Sequence, residues 1–177
     1  PTHNAPLRSG KGYPYEGGIR VPLIVKWPGV TKAGSVSDEP VTSVDYFPTI
    51  CAAVELEIAG DHVIDGVDLR PTLSGDGDIE GRSLFWHFPH YRGKGIPPYS
   101  IVRSGDFKLI KRYAGGKEFE LFNLAGDLSE EEELSAKMPE KVRELDKRIA
   151  AWCETTHAKM PVPNKEFKKR WPVVGWR

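Results

Sequence analysis

The sequence predicts an α/β segment followed by a small antiparallel β-sheet that carries a C-terminal helix. Three observations predict it. "VPLIVKWPG" (21–29) is a short apolar run closed by Pro-Gly, which reads as a buried parallel strand. "SLFWHF" (83–88), "YSIVRSGDFKLIKRY" (99–113) and "FELFNL" (119–124) are strand-like and separated by turn residues. Finally, "MPEKVRELDKRIAAWCETTH" places Val142, Leu145, Ile149 and Trp152 three and four apart, the stripe of an amphipathic helix.

Each element follows from local chemistry. "LRSGKGYPYEGGIR" (7–20) sets Lys11 between Gly10 and Gly12 and then adds Pro14, Gly17 and Gly18. Backbone this permissive serves a tight path or a close approach, and a lysine at its tip is a candidate anion contact. "TKAGSVSDEPVTSV" (31–44) reads as a loop. Asp45 is a good N-cap, and Pro48 then falls in the first turn, where its missing N–H costs little. Phe47, Ile50, Cys51 and Val54 share one face, so 45–55 is expected as a helix packed on the sheet. "AGDHVIDGVDL" (59–69) is a loop, and "RPTLSGDGDIEG" (70–81) offers one helical turn. Ser104-Gly105-Asp106 divides 99–113 into a hairpin, and Gly115-Gly116 supplies the next turn. The texture changes near Gly81. The expected organisation is therefore 1–82, the end of an α/β domain; 83–160, the sheet and helix; and 161–177, a proline-rich charged tail.

Composition narrows the function classes. Among 177 residues, Lys plus Arg equals Asp plus Glu at 25 each, so a general nucleic-acid footprint is not supported. No apolar run reaches the length of a membrane span. "LSEEEEL" (128–134) reads as a solvated acidic surface and "NKEFKKRW" (164–171) as part of the tail. The two cysteines, Cys51 and Cys153, match no metal or redox spacing. The opening "PTHNAP" is taken as the continuation of a longer protein.

In order and at the expected separations, "GKGYPYEGGIRVPLIVKWPG", "TSVDYFPTI", "DGVDLRPTLSG", "SGDFKLI" and "FELFNLAGD" resemble the sulfatases of the formylglycine-dependent type. The likeness runs from about residue 4 to 160, and GKG-x-x-YEGG-x-R-x-P is its most specific element. The resemblance implies an alkaline phosphatase-like α/β fold, of which this chain is the C-terminal end with its small sheet and helix. It implies hydrolysis of sulfate esters of carbohydrates or aryl alcohols, and assigns Lys11 to the sulfate. A compact ammonium suits a tetrahedral anion and offsets charge building on the departing oxygen. It also implies a formylglycine nucleophile, made from a C/S-x-P-x-R motif, and a calcium ion. Neither has its residues here: Cys51 reads "CAAVE", Cys153 reads "CETTH", and the calcium-binding Asp-Asn pair would precede Pro1. His3 and Asn4 are not convincing substitutes. Alone, the chain is expected to be inactive.

"FWHFPHYRGKG" (85–95) combines His87, His90 and Arg92 with aromatics. In the resemblance this stretch borders the active-site mouth, so these three are candidate substrate contacts. The alternative is a polar strand end and a surface loop. Without an identifiable third ligand, the two histidines make a poor metal site. Lys11 has its own alternative as a solvated loop lysine, and Glu16 and Arg20 read as pairing with each other or capping backbone groups. Export to the periplasm or outside the cell follows family habit. Two other functions use the same residues: a phosphodiesterase or phosphonate hydrolase of the same superfamily, and a non-catalytic module binding sulfated glycans. Two positions depart from the family pattern: Leu128, where proline is common, and Glu133, where asparagine is common.

Overall fold

Turn residues fold the middle of the chain into a four-stranded antiparallel sheet, β1 (Ser83–Phe88), β2 (Tyr99–Ser104), β3 (Phe107–Arg112) and β4 (Phe119–Asn123), in the order β1-β2-β3-β4. The computed structural model describes residues 4–79, 81–92 and 95–164. Two compact units divide the chain: residues up to Val21 with those from Ser83 onward, and the intervening Pro22–Arg82.

The first unit is built on strand alternation. Gly105 turns β2 into β3 with φ of 56°, and Gly115 and Gly116, both at positive φ, lead on to β4. One face of the sheet carries Val102, Leu109 and Leu121, which pack with Val142, Leu145 and Ile149 of the helix α4 (Pro139–Thr155). Phe85 stacks on Trp152 of that helix, ring centroids 5.1 Å apart. Val142, Leu145 and Ile149 of the predicted stripe are buried, and Trp152 is half-buried. Alternate strand positions carry Ile101, Ile110 and Phe122 to the opposite face, where they meet Tyr15. The N-terminal segment therefore covers one face of the sheet and α4 the other. Within that segment lies a helical turn that the sequence reading did not foresee, α1 (Glu16–Ile19).

The acidic run 128–134 departs from the solvated surface expected of it. Glu131 and Glu132 are exposed, but Glu130 is fully buried against Lys108. The Glu133 carboxylate accepts hydrogen bonds from the N–H groups of Leu121 (3.0 Å) and Ser135 (2.7 Å) and pairs with Lys117.

In the second unit a 3₁₀ turn (Ser43–Asp45) runs into α2 (Tyr46–Ala53), and α3 (Arg70–Ser74) is the single turn expected after Leu69. Asp45 does not cap α2. Its buried carboxylate instead accepts from Thr42 N–H (2.7 Å), Val67 N–H (3.0 Å) and the Arg82 guanidinium (2.7 Å). Burial pushes the Asp45 carboxyl upward, yet these donors hold it below the ordinary aspartate range. The expected strand at 21–29 is not formed, because no described segment pairs with it, and Ile24 is 90% exposed. The face of α2 is also corrected: Pro48, Thr49 and Cys51 are buried, while Phe47, Ile50 and Val54 face outward. A strand needs partners and an apolar stripe needs a cover, and neither is a local property. No described helix is long and apolar enough to cross a membrane. Of the expected tail, residues 161–164 carry no regular structure, and 165–177 lie outside the described residues, as does His3.

Candidate anion-binding site

The stretch around Lys11 is tied down by its own backbone. Tyr13 N–H donates to Gly10 C=O (3.1 Å), and Gly17 N–H donates to Arg8 C=O (2.9 Å). These bonds bring the backbone so close to itself that side chains are excluded. A Cβ on Gly17 would lie 2.5 Å from the carbonyl oxygens of Arg8 and Ser9, and one on Gly18 would lie 2.1 Å from that of Tyr13. Gly10 was expected to permit close approach, but nothing crowds it. Lys11 stands exposed at the tip.

Two anchors fix this loop to the sheet. Tyr15 packs edge-on against Phe122, with centroids 6.3 Å apart, and lies under the Arg8 guanidinium at 3.8 Å. Its hydroxyl donates to Glu120 Oε1 (2.9 Å) and accepts from Arg112 (3.0 Å), whose guanidinium also pairs with Glu120. Burial, and then the Glu120 charge, push the Tyr15 hydroxyl up. Glu16 forms the second anchor. Its Oε1 accepts from the buried Lys108 Nζ at 2.9 Å, while Arg20, the expected partner, lies 3.9 Å from Oε2. Glu130 completes the cluster: Oε1 is 2.8 Å from Lys108 Nζ, and Oε2 accepts the Glu16 N–H at 2.6 Å. Burial pushes the Glu130 carboxyl up, with Lys108 acting in the opposite direction.

Arg92 meets the same loop. A Cβ on Gly12 would fall 1.3 Å from Arg92 Nη1, so the guanidinium occupies the space above Gly12, the residue that follows Lys11. Gly12 has φ of 91°, a conformation that also favours glycine. A bond from Arg92 N–H to Ile96 C=O (3.0 Å) steadies the Arg92 backbone. Two cations of the expected set are thus carried on adjoining segments. His90 is exposed and sets its ring edge-on to Phe88, 5.6 Å away.

His87 is placed differently from the expected rim contact. It lies on the α4 face of the sheet, edge-on to Trp152 and Tyr113. Its Nε2 is 2.9 Å from Lys159 C=O and its Nδ1 2.7 Å from Ser100 Oγ, which is itself 2.8 Å from Tyr113 O–H. A carbonyl can only accept, so Nε2 carries a proton, and both ring nitrogens are engaged within the protein.

Among the described residues, no three His, Cys, Asp or Glu side chains converge as a metal site. Cys51 is buried on α2 and Cys153 lies on α4, both as free thiols. The sequence holds no C/S-x-P-x-R motif for a formylglycine, and the described residues offer no such cluster to a calcium ion. Sequence reasoning missed Lys108 and Glu130. The signal for Lys108 was its strand position: alternation puts it on the same inward face as Ile110, where an ammonium needs a partner.

The family model described as N-sulphoglucosamine sulphohydrolase, C-terminal, matches residues 10–155, which include both anchors and Lys11. The chain belongs to this sulfatase family. A sulfatase of Formosa agariphila is 33% identical over 97% of the chain, and the chain spans 35% of its length. The mouse steryl-sulfatase is 42% identical over 48% of the chain, which spans 14% of that enzyme. Among solved structures, BT4656 in complex with its substrate D-glucosamine-2-N,6-O-disulfate is 26% identical with a TM-score of 0.64, over 78% of this chain and 29% of its own. Ps i-CgsB in complex with a neocarrahexaose shares the fold at a TM-score of 0.74 and 24% identity, over 85% of this chain and 32% of its own. The described residues thus hold the four-stranded antiparallel sheet and helix that the sequence predicted.

Proposed function

We propose that this chain is the C-terminal portion of a formylglycine- and calcium-dependent sulfatase that hydrolyses sulfate esters of carbohydrates or aryl alcohols, and that Lys11 contacts the sulfate. One observation carries the reading: Lys11 projects from a loop tied to the sheet at Tyr15 and Glu16, with the Arg92 guanidinium over Gly12. An ammonium held on such a support can meet an anion without reorganising, which is where electrostatic stabilisation of a leaving group is strongest. Arg92 adds a second cation with a planar fork of donors. His90, exposed beside Phe88, belongs to the substrate-facing rim. His87 acts in the packing of α4 rather than at that rim.

The nucleophile and the metal come from other parts of the complete enzyme, so this chain supplies sulfate contact and substrate choice but no bond cleavage. The outward apolar face of α2 agrees with that division, since Phe47, Ile50 and Val54 suit a larger α/β core. By family habit the complete enzyme works in the periplasm or outside the cell. Turnover of a sulfate ester by the complete enzyme tests the proposal. Lys11→Ala is expected to lower kcat by about 10²–10³, and Lys11→Arg to restore little, because the guanidinium fork does not mimic an ammonium. Parental turnover in Lys11→Ala would remove Lys11 from the chemistry.

A further inference from the structure

We propose that Lys108 is a positioning residue for the anion site: its buried ammonium clamps Glu16 and Glu130 and so fixes the loop that presents Lys11. The inference rests on the reading of Lys11 as the sulfate contact.

Lys108 sits in β3, inside the sheet, and none of its surface is exposed. Its two carboxylate partners come from different segments, Glu16 from the loop and Glu130 from the stretch after β4. Glu130 grips the loop in two places. Its side chain accepts the Glu16 N–H at 2.6 Å, and its backbone carbonyl accepts from Arg8 Nη1 at 2.8 Å. Arg8 and Glu16 are the two ends of the knot that contains Lys11, because Gly17 N–H returns to Arg8 C=O and Asn4 Nδ2 donates to Gly17 C=O (2.6 Å). Holding Glu16 and Arg8 in place therefore leaves Gly10–Gly12 few alternatives.

Stability alone is a poor account of this cluster. Three buried charges carry a large desolvation cost, and apolar residues of similar volume often serve a core equally well. What the charges add is direction. An ammonium between two carboxylates defines one position for each of the segments it joins, as an apolar contact does not.

The test is a double-mutant cycle in the complete enzyme, comparing the parent, Lys11→Ala, Lys108→Met and the double variant. Two readouts are taken well below the unfolding temperature of the weakest variant: kcat/KM on a sulfate ester, and inhibition by inorganic sulfate. Lys108→Met is expected to weaken sulfate inhibition about tenfold, and Lys11→Ala to cost much less in its background than in the parent. Parental sulfate inhibition in Lys108→Met overturns the inference, and so do two losses that multiply independently. Should Lys108→Met not fold, Lys108→Met/Glu130→Gln replaces it. That pair removes the ammonium, keeps an acceptor for Glu16 N–H and leaves the net charge of the cluster unchanged; the same outcomes decide. If Lys11→Ala alone is parental in both readouts, the Lys11 reading itself fails and the positioning role falls with it. That result is distinct from independent losses at two working sites.

Discussion

Lys108 Nζ meets Glu16 Oε1 at 2.9 Å with both side chains withdrawn from solvent, joining the sheet to the most specific motif of the sequence. The relationship gives YEGG a physical meaning. Tyr15 and Glu16 are anchors, and Gly17 and Gly18 allow the backbone to fold back on itself.

Removing the charge from this pair should cost far more than removing one at the surface. Lys108→Met strands two buried carboxylates and is expected to lose about 3–5 kcal/mol. Lys137→Met breaks an exposed pair with Glu132 and should cost less than about 1 kcal/mol. Denaturant unfolding of both variants checks the contrast, and equal losses would contradict the burial of Lys108.

The glycines differ in what they tolerate. Gly18→Ala forces a Cβ to 2.1 Å from the Tyr13 carbonyl, a backbone atom with nowhere to move, and should destabilise by at least about 2 kcal/mol. Gly10 has open space around it, so Gly10→Ala should stay within about 0.5 kcal/mol of the parent. Thermal unfolding separates the two, and a tolerated Gly18→Ala would deny the close approach.

Glu133 gives a pH dependence of definite sign. Burial pushes its carboxyl up, but Lys117 and the N–H groups of Leu121 and Ser135 hold it down to about 2. A depressed acid contributes stability above its unfolded value, roughly 4.3, and loses it as pH falls toward 2. Glu133→Gln should therefore lower stability at neutral pH and flatten the acid limb between about 4.3 and 2. Its amide oxygen can still accept from Leu121 N–H.

His87→Ala should act on α4 packing. It removes the bonds to Ser100 and the Lys159 carbonyl, so unfolding is expected about 1–3 kcal/mol earlier, while relative kcat/KM across a panel of sulfated substrates stays parental. His90→Ala and Arg92→Ala should shift that panel. A changed preference in His87→Ala would return the residue to the substrate rim.

Local patterns made most of the sheet and its helix legible. The three-four spacing of Val142, Leu145 and Ile149 states which side of α4 turns inward, and the turn glycines state where the backbone reverses, but with both sheet faces covered Lys108, Leu109 and Ile110 of "FKLIKR" are all buried. Residues 21–29 misled because an apolar run becomes a strand only beside another strand. Glu130 misled because its neighbours are solvated acids, and only the fold brings Lys108 to it. In the site, the tight backbone path around Lys11 was legible from Gly17 and Gly18. The meeting of Gly12 with Arg92 was not, since nothing in either segment points to the other.

Inhibition by inorganic sulfate, compared between the complete enzyme and its Lys11→Ala variant, tests the central claim most directly. An ammonium that contacts the anion predicts an inhibition constant raised about tenfold or more, equivalent to about 1.4 kcal/mol of binding. An unchanged constant in a folded variant would contradict it, and Lys11 would then be a solvated lysine on a well-anchored loop.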